Sequence, residues 1–218
     1  MSIGSTSRAI LGEKLFQVAG TIYRRIFFDA HDFVECTKDL FSKGHCIDIG
    51  GGDGFLANRL LSAHPELAVT LVDPSSNCGT WVNKQNSSRF TLYPSMTTND
   101  LLPEQAEQFD SAILADVVHH VMPKNRAELL TQAFEMLKPG GSLLIKEIEP
   151  RGLRSKLAYL ADVYISRDPI VYFISQELLL DLIQEVLGES YEIRVNYLVQ
   201  KDYPNYALQI VKTKNATG

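Results

Sequence analysis

Cys46-Ile47-Asp48-Ile49-Gly50-Gly51-Gly52-Asp53-Gly54-Phe55-Leu56-Ala57-Asn58-Arg59-Leu60-Leu61 is the stretch from which the rest of the chain can be read. A short apolar run passes into a glycine-dense turn and leaves on a helical pattern, in which Phe55, Leu56, Arg59, Leu60 and Leu61 share faces. That is strand, tight loop and helix N-terminus. Glycines in such a loop let backbone N–H groups approach a ligand closely, because no Cβ intervenes. The first helical turn adds unpaired donors and the positive end of the helix dipole. The stretch predicts a site for a nucleotide-like ligand.

Downstream, apolar runs over residues 68–72, 90–93, 109–114 and 142–148 read as further strands. Helical patterns separate them over 76–86, where Trp81 and Val82 are the expected buried positions, and over 117–122 and 125–137. Pro139, Gly140 and Gly141 read as a sharp turn before the fifth strand. Strands alternating with helices predict an α/β fold with a doubly wound, mostly parallel sheet. The tail breaks the alternation. Helices are expected over 153–165 and 175–187, the latter N-capped by Ser175. Strands over 191–199 and 206–211 are joined by a link too short for a crossover helix, which predicts an antiparallel C-terminal hairpin and a seven-stranded sheet.

Upstream, Leu11, Leu15, Phe16, Val18, Ala19, Ile22, Tyr23 and Ile26 recur at helical spacing over 9–28, and a second helix is expected over 32–41 with Phe33, Val34 and Leu40 inward. Residues 1–42 thus read as a helical N-terminal extension, a structural cap or a lid, before a main domain over 43–218.

Composition narrows the classes of function. Hydrophobic residues at 45% and charged residues at 22% suit a folded core. A net charge of −5 repels polyanions, so nucleic acid is disfavoured as the main partner. Cys36, Cys46 and Cys78 lack metal-type spacing and read as reduced thiols in a cytoplasmic protein. No targeting segment is evident, and no run approaches the roughly 20 apolar residues of a membrane span. Oligomeric state is not legible.

Two ligands compete for the glycine loop. Gly52-x-Gly54-x-x-Ala57, with Asp73 farther on, satisfies a dinucleotide fingerprint and suggests a nicotinamide-dependent oxidoreductase. The other pattern starts earlier. Asp48-x-Gly50-x-Gly52-x-Gly54, preceded by Cys46-Ile47, resembles the first motif of class I S-adenosylmethionine-dependent methyltransferases. Leu71-Val72-Asp73-Pro74-Ser75 is similar to their second motif, residues 109–121 to their fourth-strand motif, and Leu137-Lys138-Pro139-Gly140-Gly141 to their loop into strand five. The terminal hairpin also matches. Four motifs in order favour this resemblance over the fingerprint, for which the chain is also short to carry a separate substrate domain.

The resemblance implies a Rossmann-like fold, S-adenosylmethionine as cofactor and S-adenosylhomocysteine as product. With no pyrophosphate to repel, an acid at the end of strand one is tolerable. It implies that Asp48 accepts from the cofactor's ammonium, that Gly50, Gly52 and Gly54 pass beneath it, and that Asp73 takes the ribose hydroxyls. Pro74 then lies near the adenine. Ser95 and Met96 stand where the family often has an acid or amide for the adenine amine, and Ala115, with Asp116 beside it, meets the ammonium by its carbonyl.

In-line methyl transfer asks the protein to align nucleophile and methyl and to exclude water. A hydroxyl acceptor also needs a base. His119 matches the histidine of plant-type O-methyltransferases, although His120 and Val121 replace the Asp-Trp that follows it there. Its alternative is a structural role. His120, Glu149, Tyr159 and Asp162 are candidate acceptor contacts, the last three in or beside a substrate-side insertion expected over 151–174, whose mixed aromatic and polar residues suit an organic molecule. An amphipathic lid helix with solvated charges would give the same pattern. No metal cluster and no Asn-Pro-Pro-Tyr tetrad is evident. The expectation is methyl transfer to a small organic acceptor, at oxygen. The rivals are the oxidoreductase and a cofactor-binding partner protein without activity.

Overall fold

The computed structural model describes residues 30–152, 155, 156, 159, 171–197 and 205–213. The helix expected over 9–28, Asp162 and most of the helix expected over 153–165 lie outside them.

Helices α1 (Ala30–Cys36), α2 (Phe55–Ala63), α3 (Thr98–Gln105), α4 (Arg126–Glu135) and α5 (Gln176–Leu187) surround strands β1 (Lys43–Ile49), β2 (Glu66–Asp73), β3 (Phe90–Pro94), β4 (Phe109–Ala115), β5 (Leu137–Ile148), β6 (Tyr191–Tyr197) and β7 (Asn205–Lys212). The strands form one seven-stranded sheet in the order β3-β2-β1-β4-β5-β7-β6. β1 pairs parallel with β2 and β4, β2 with β3, and β4 with β5. β7 runs antiparallel to β5 and β6, as the short link between the tail strands requires. The Rossmann-like α/β fold expected from the alternation is the observed one.

The central strands are apolar at successive positions because both faces are covered. Ile47, Ile49, Val72, Ala112, Leu114, Leu143 and Ile145 face Leu101, Leu130, Phe134, Leu179 and Ile183 of α3, α4 and α5. Cys46, Val69, Leu71, Ile113 and Leu144 turn to the other face, against Phe33, Val34, Leu56, Leu60 and Leu61 of α1 and α2. Ser175 caps α5 as expected, its Oγ accepting from the Leu178 N–H at 3.3 Å. Among the described residues no helix is long and apolar enough to cross a membrane.

Several local expectations need correction. α1 stops at Cys36, and residues 37–40 form turns, with the Thr37 hydroxyl donating to the Phe33 carbonyl at 2.7 Å in competition with the helix. Residues 76–82 are not helical. Their backbone is captured by the glycine loop, Gly79 N–H donating to the Gly52 carbonyl at 2.9 Å and Trp81 N–H to the Asp53 carbonyl at 2.8 Å. Trp81 and Val82 are accordingly half-buried, and only a 3₁₀ helix, Lys84–Arg89, follows. The helix expected over 117–122 shrinks to the 3₁₀ turn Val118–His120. The turn expected at 139–141 is absorbed into β5, whose pairing with β4 shifts register between Phe109 and Ser111. α3 was not expected at all. Its signal is the capping box Thr97-x-x-Asp100, with the Thr97 N–H donating to Asp100 Oδ2 at 2.7 Å, and Pro103 inside the helix obscured it.

Candidate active site

The carboxyl ends of β1, β2, β4 and β5 lie side by side, and the crevice beyond them is where ligands bind in sheets of this kind. Two groups of residues converge there. The first is built on the glycine loop. Gly50 sits at φ +69°, and a Cβ on it would come within 2.9 Å of Val117 Cγ2. Gly52 is different. It has φ +55° but nothing within 4 Å of its missing Cβ, so its left-handed backbone borders open space.

Asp48, at the tip of β1, is 1% exposed, and its Oδ2 has no hydrogen-bond partner. Burial, with Asp73 and Asp53 adding negative charge, pushes its carboxyl up to about 7. An acid held this way is relieved by a cation. Asp73, at the tip of β2, accepts from Gly52 N–H at 2.9 Å through Oδ2 and from Ser75 N–H at 2.7 Å through Oδ1. Each oxygen keeps a further lone pair for a ligand hydroxyl. Beside them lies a cavity of about 280 Å³ whose apolar walls include Pro74, Met96 and Val117. Ser95 is exposed and does not line it, whereas Thr97, Thr98 and Asn99 of the unexpected α3 do. An ammonium for Asp48, hydroxyls for Asp73 and a flat ring for the cavity are what an adenosyl amino acid offers. A diphosphate against Gly52 would instead meet the field of three aspartates.

The second group follows β4. Ala115 ends the strand half-buried, and Asp116 turns the chain at φ +57° while its N–H donates to the Lys146 carbonyl at 2.8 Å. The Asp116 carboxylate accepts from Lys146 Nζ at 2.6 Å through both oxygens. His119 is 1% exposed, with Nδ1 2.5 Å from Oε2 of the fully buried Glu147. Glu147 Oε1 accepts from the Val117 and Val118 N–H groups at 3.0 and 2.6 Å. His120 lies against His119 with ring centroids 4.0 Å apart, Phe173 meets His119 edge-on at 5.3 Å, and Tyr159 meets Phe173 at 6.1 Å. Glu149 turns elsewhere. It accepts from the Gln176 N–H at the start of α5 at 3.0 Å and pairs with Arg151 at 3.3 Å.

Glu147 and Lys146 were not singled out in the sequence, because within the apolar run of strand five nothing marks them as site residues. Asp116, His119 and Glu147 also place one ligand atom each within 4.8 Å of one another. A metal is not needed to balance them, since the Lys146 ammonium and two backbone donors already satisfy these carboxylates.

Residues 47–143 match a family model described as a methyltransferase domain. A curated relative, human acetylserotonin O-methyltransferase, is 30% identical over 101 residues, which span 46% of this chain and 29% of that protein. Among solved structures, an O-methyltransferase family protein from Burkholderia thailandensis superposes with a TM-score of 0.71 at 16% identity, covering 99% of this chain and 64% of that one. An O-methyltransferase from neocarzinostatin biosynthesis, in complex with S-adenosylhomocysteine and 1,4-dihydroxy-2-naphthoic acid, superposes at 0.67 with 18% identity over 90% of this chain and 57% of that one. The Burkholderia thailandensis 1,6-didemethyltoxoflavin-N1-methyltransferase does so at 0.63 with 17% identity, over 84% and 76%. Motif order, strand order and the matched domain agree with the resemblance to class I S-adenosylmethionine-dependent methyltransferases.

Proposed function

We propose that this protein transfers a methyl group from S-adenosylmethionine to a small, planar organic acceptor, at oxygen. The observation that carries the reading is the unpartnered, buried oxygen of Asp48 beside the open face of Gly52. The cofactor supplies an electrophilic methyl on a sulfonium. Asp48 would hold its ammonium, Asp73 its ribose, and Pro74, Met96 and Val117 its adenine. Ala115 and Asp116 border the same crevice.

Oxygen is favoured by the His119–Glu147 pair. A carboxylate accepting from Nδ1–H fixes the imidazole tautomer, makes Nε2 the basic atom and stabilises the imidazolium formed when a hydroxyl proton is taken up. Phe173 and Tyr159 supply aromatic edges beside that ring, which suits a planar acceptor. His120 adjoins the same place. Glu149 is assigned to capping α5 instead.

Calorimetry with S-adenosylhomocysteine and with NADH tests the cofactor. Micromolar binding of NADH with none of the thioether would overturn the proposal. Transfer of labelled methyl to a panel of hydroxylated aromatics and of aromatic amines tests the acceptor. If only amines are methylated, and His119→Ala keeps their rate and pH profile, nitrogen is the target and His119 is not the base.

A further inference from the structure

Arg126 opens α4 and is 6% exposed. The placement is unfavourable for that helix, because a cation sits at the positive end of the dipole and is taken out of water. Its compensation lies in two other segments. Nε donates to the carbonyls of Val118 and Val121, both at 3.1 Å, on either side of the turn that carries His119 and His120. Nη2 donates to the carbonyl of Tyr172, near the end of the insertion over 151–174. The link is returned, since Tyr172 N–H donates to the His119 carbonyl at 2.8 Å. The far end of this segment is held separately, by the Tyr206 hydroxyl donating to the Ile174 carbonyl at 2.9 Å.

The guanidinium therefore staples the His119 turn to residues 172–174, which carry the Phe173 ring that meets the imidazole. A planar fork with donors in fixed directions can reach all three carbonyls at once, whereas an ammonium on a flexible stem cannot hold the same geometry. We propose that Arg126 is a positioning residue, fixing the His119 imidazole and the acceptor-side segment as one unit. This rests on the reading of His119 given above. It adds that the orientation of the imidazole is set by a residue that touches neither cofactor nor acceptor.

The test uses the full chain with Arg126→Gln and Arg126→Lys, and a readout that a merely structural role would not move. A proton on Nδ1, with that nitrogen 2.5 Å from a buried carboxylate oxygen, gives a far-downfield resonance, identified by its loss in His119→Ala. With both variants folded and binding S-adenosylhomocysteine as the parent does, R126Q should lose that resonance to exchange. The Tyr172 amide should then exchange roughly tenfold faster or more, as expected for losing a hydrogen bond to a charged group. R126K should recover part of both. An unchanged resonance and Tyr172 amide in R126Q would overturn the proposal, as would their loss in both variants only together with the fold and the thioether affinity. The two readings separate cleanly. If the resonance behaves as expected while His119→Ala still transfers methyl, the staple stands and the base assignment falls.

Discussion

Asp48→Asn should stabilise the ligand-free protein while weakening its hold on the cofactor. In the unfolded chain this carboxyl ionises near 3.8, and in the fold burial first, then Asp73 and Asp53, raise it to about 7. The folded state therefore binds the extra proton between these values, so stability falls as pH rises from 3.8 toward 7 and the full penalty is present above. At about 1.4 kcal/mol per pH unit the penalty is roughly 4 kcal/mol at most. The asparagine amide removes it but leaves a buried N–H₂ short of an acceptor, which costs about 1–3 kcal/mol. A net gain of about 1–3 kcal/mol should remain at pH 8, vanish between about pH 4.5 and 6, and become a net loss of about 1–3 kcal/mol near pH 4. Binding moves the other way. Losing a charge-assisted hydrogen bond of about 1.5–3 kcal/mol weakens S-adenosylhomocysteine roughly 10- to 150-fold. Thermal unfolding without ligand at pH 4.5 and 8, and calorimetry with the thioether, read both effects. If parent and variant lose stability in parallel between those pH values, or bind the thioether equally, Asp48 is not the strained anion described here.

Gly52→Ala should fold, at a cost of about 1–2 kcal/mol for a Cβ in the left-handed region. Because that Cβ meets no protein atom, the loss of thioether affinity by calorimetry should exceed anything explained by the melting temperature. Glu147→Gln keeps an oxygen for the Val117 and Val118 amides but removes the counter-charge at His119. The rate on a hydroxyl acceptor should fall on the order of 100-fold, with the KM for the cofactor little changed. Thr98→Val deletes the donor at 2.6 Å from the buried Gln132 Oε1. Chemical denaturation should show a loss of about 1–3 kcal/mol.

Much of this architecture is legible in the sequence, for reasons that can be named. The order of strands and helices follows from period changes and from a tail link too short to cross the sheet. Asp48, the glycines and Asp73 are legible because their spacing encodes a strand tip, a bend and a second strand tip. What was hidden depends on distant backbone. Residues 76–82 have a helix-like composition, but the Gly52 and Asp53 carbonyls, more than twenty positions away, capture their amides. Nothing within the window reveals that competitor. Glu147 and Lys146 were hidden for a different reason. They lie near the end of a strand in which residues 141–145 just before them are all buried, and only the pairing of β5 with β4 brings them to His119 and Asp116.

That pairing also brings the two groups of candidate site residues to one crevice. β1 lies between β2 and β4, and the crossover reverses there, so the crevice opens between the loop after β1 and the turn after β4. Asp48 and Asp73 stand on one side of it and the His119–Glu147 pair on the other. Val117 belongs to both, since its methyl groups would meet a Cβ on Gly50 and its N–H donates to Glu147. Any side chain at residue 50 would press on that turn and so shift the carboxylate that holds the imidazole. The glycine proposed to lie under the cofactor is thus also a packing requirement of the turn that carries the proposed base, which couples the two groups through one contact.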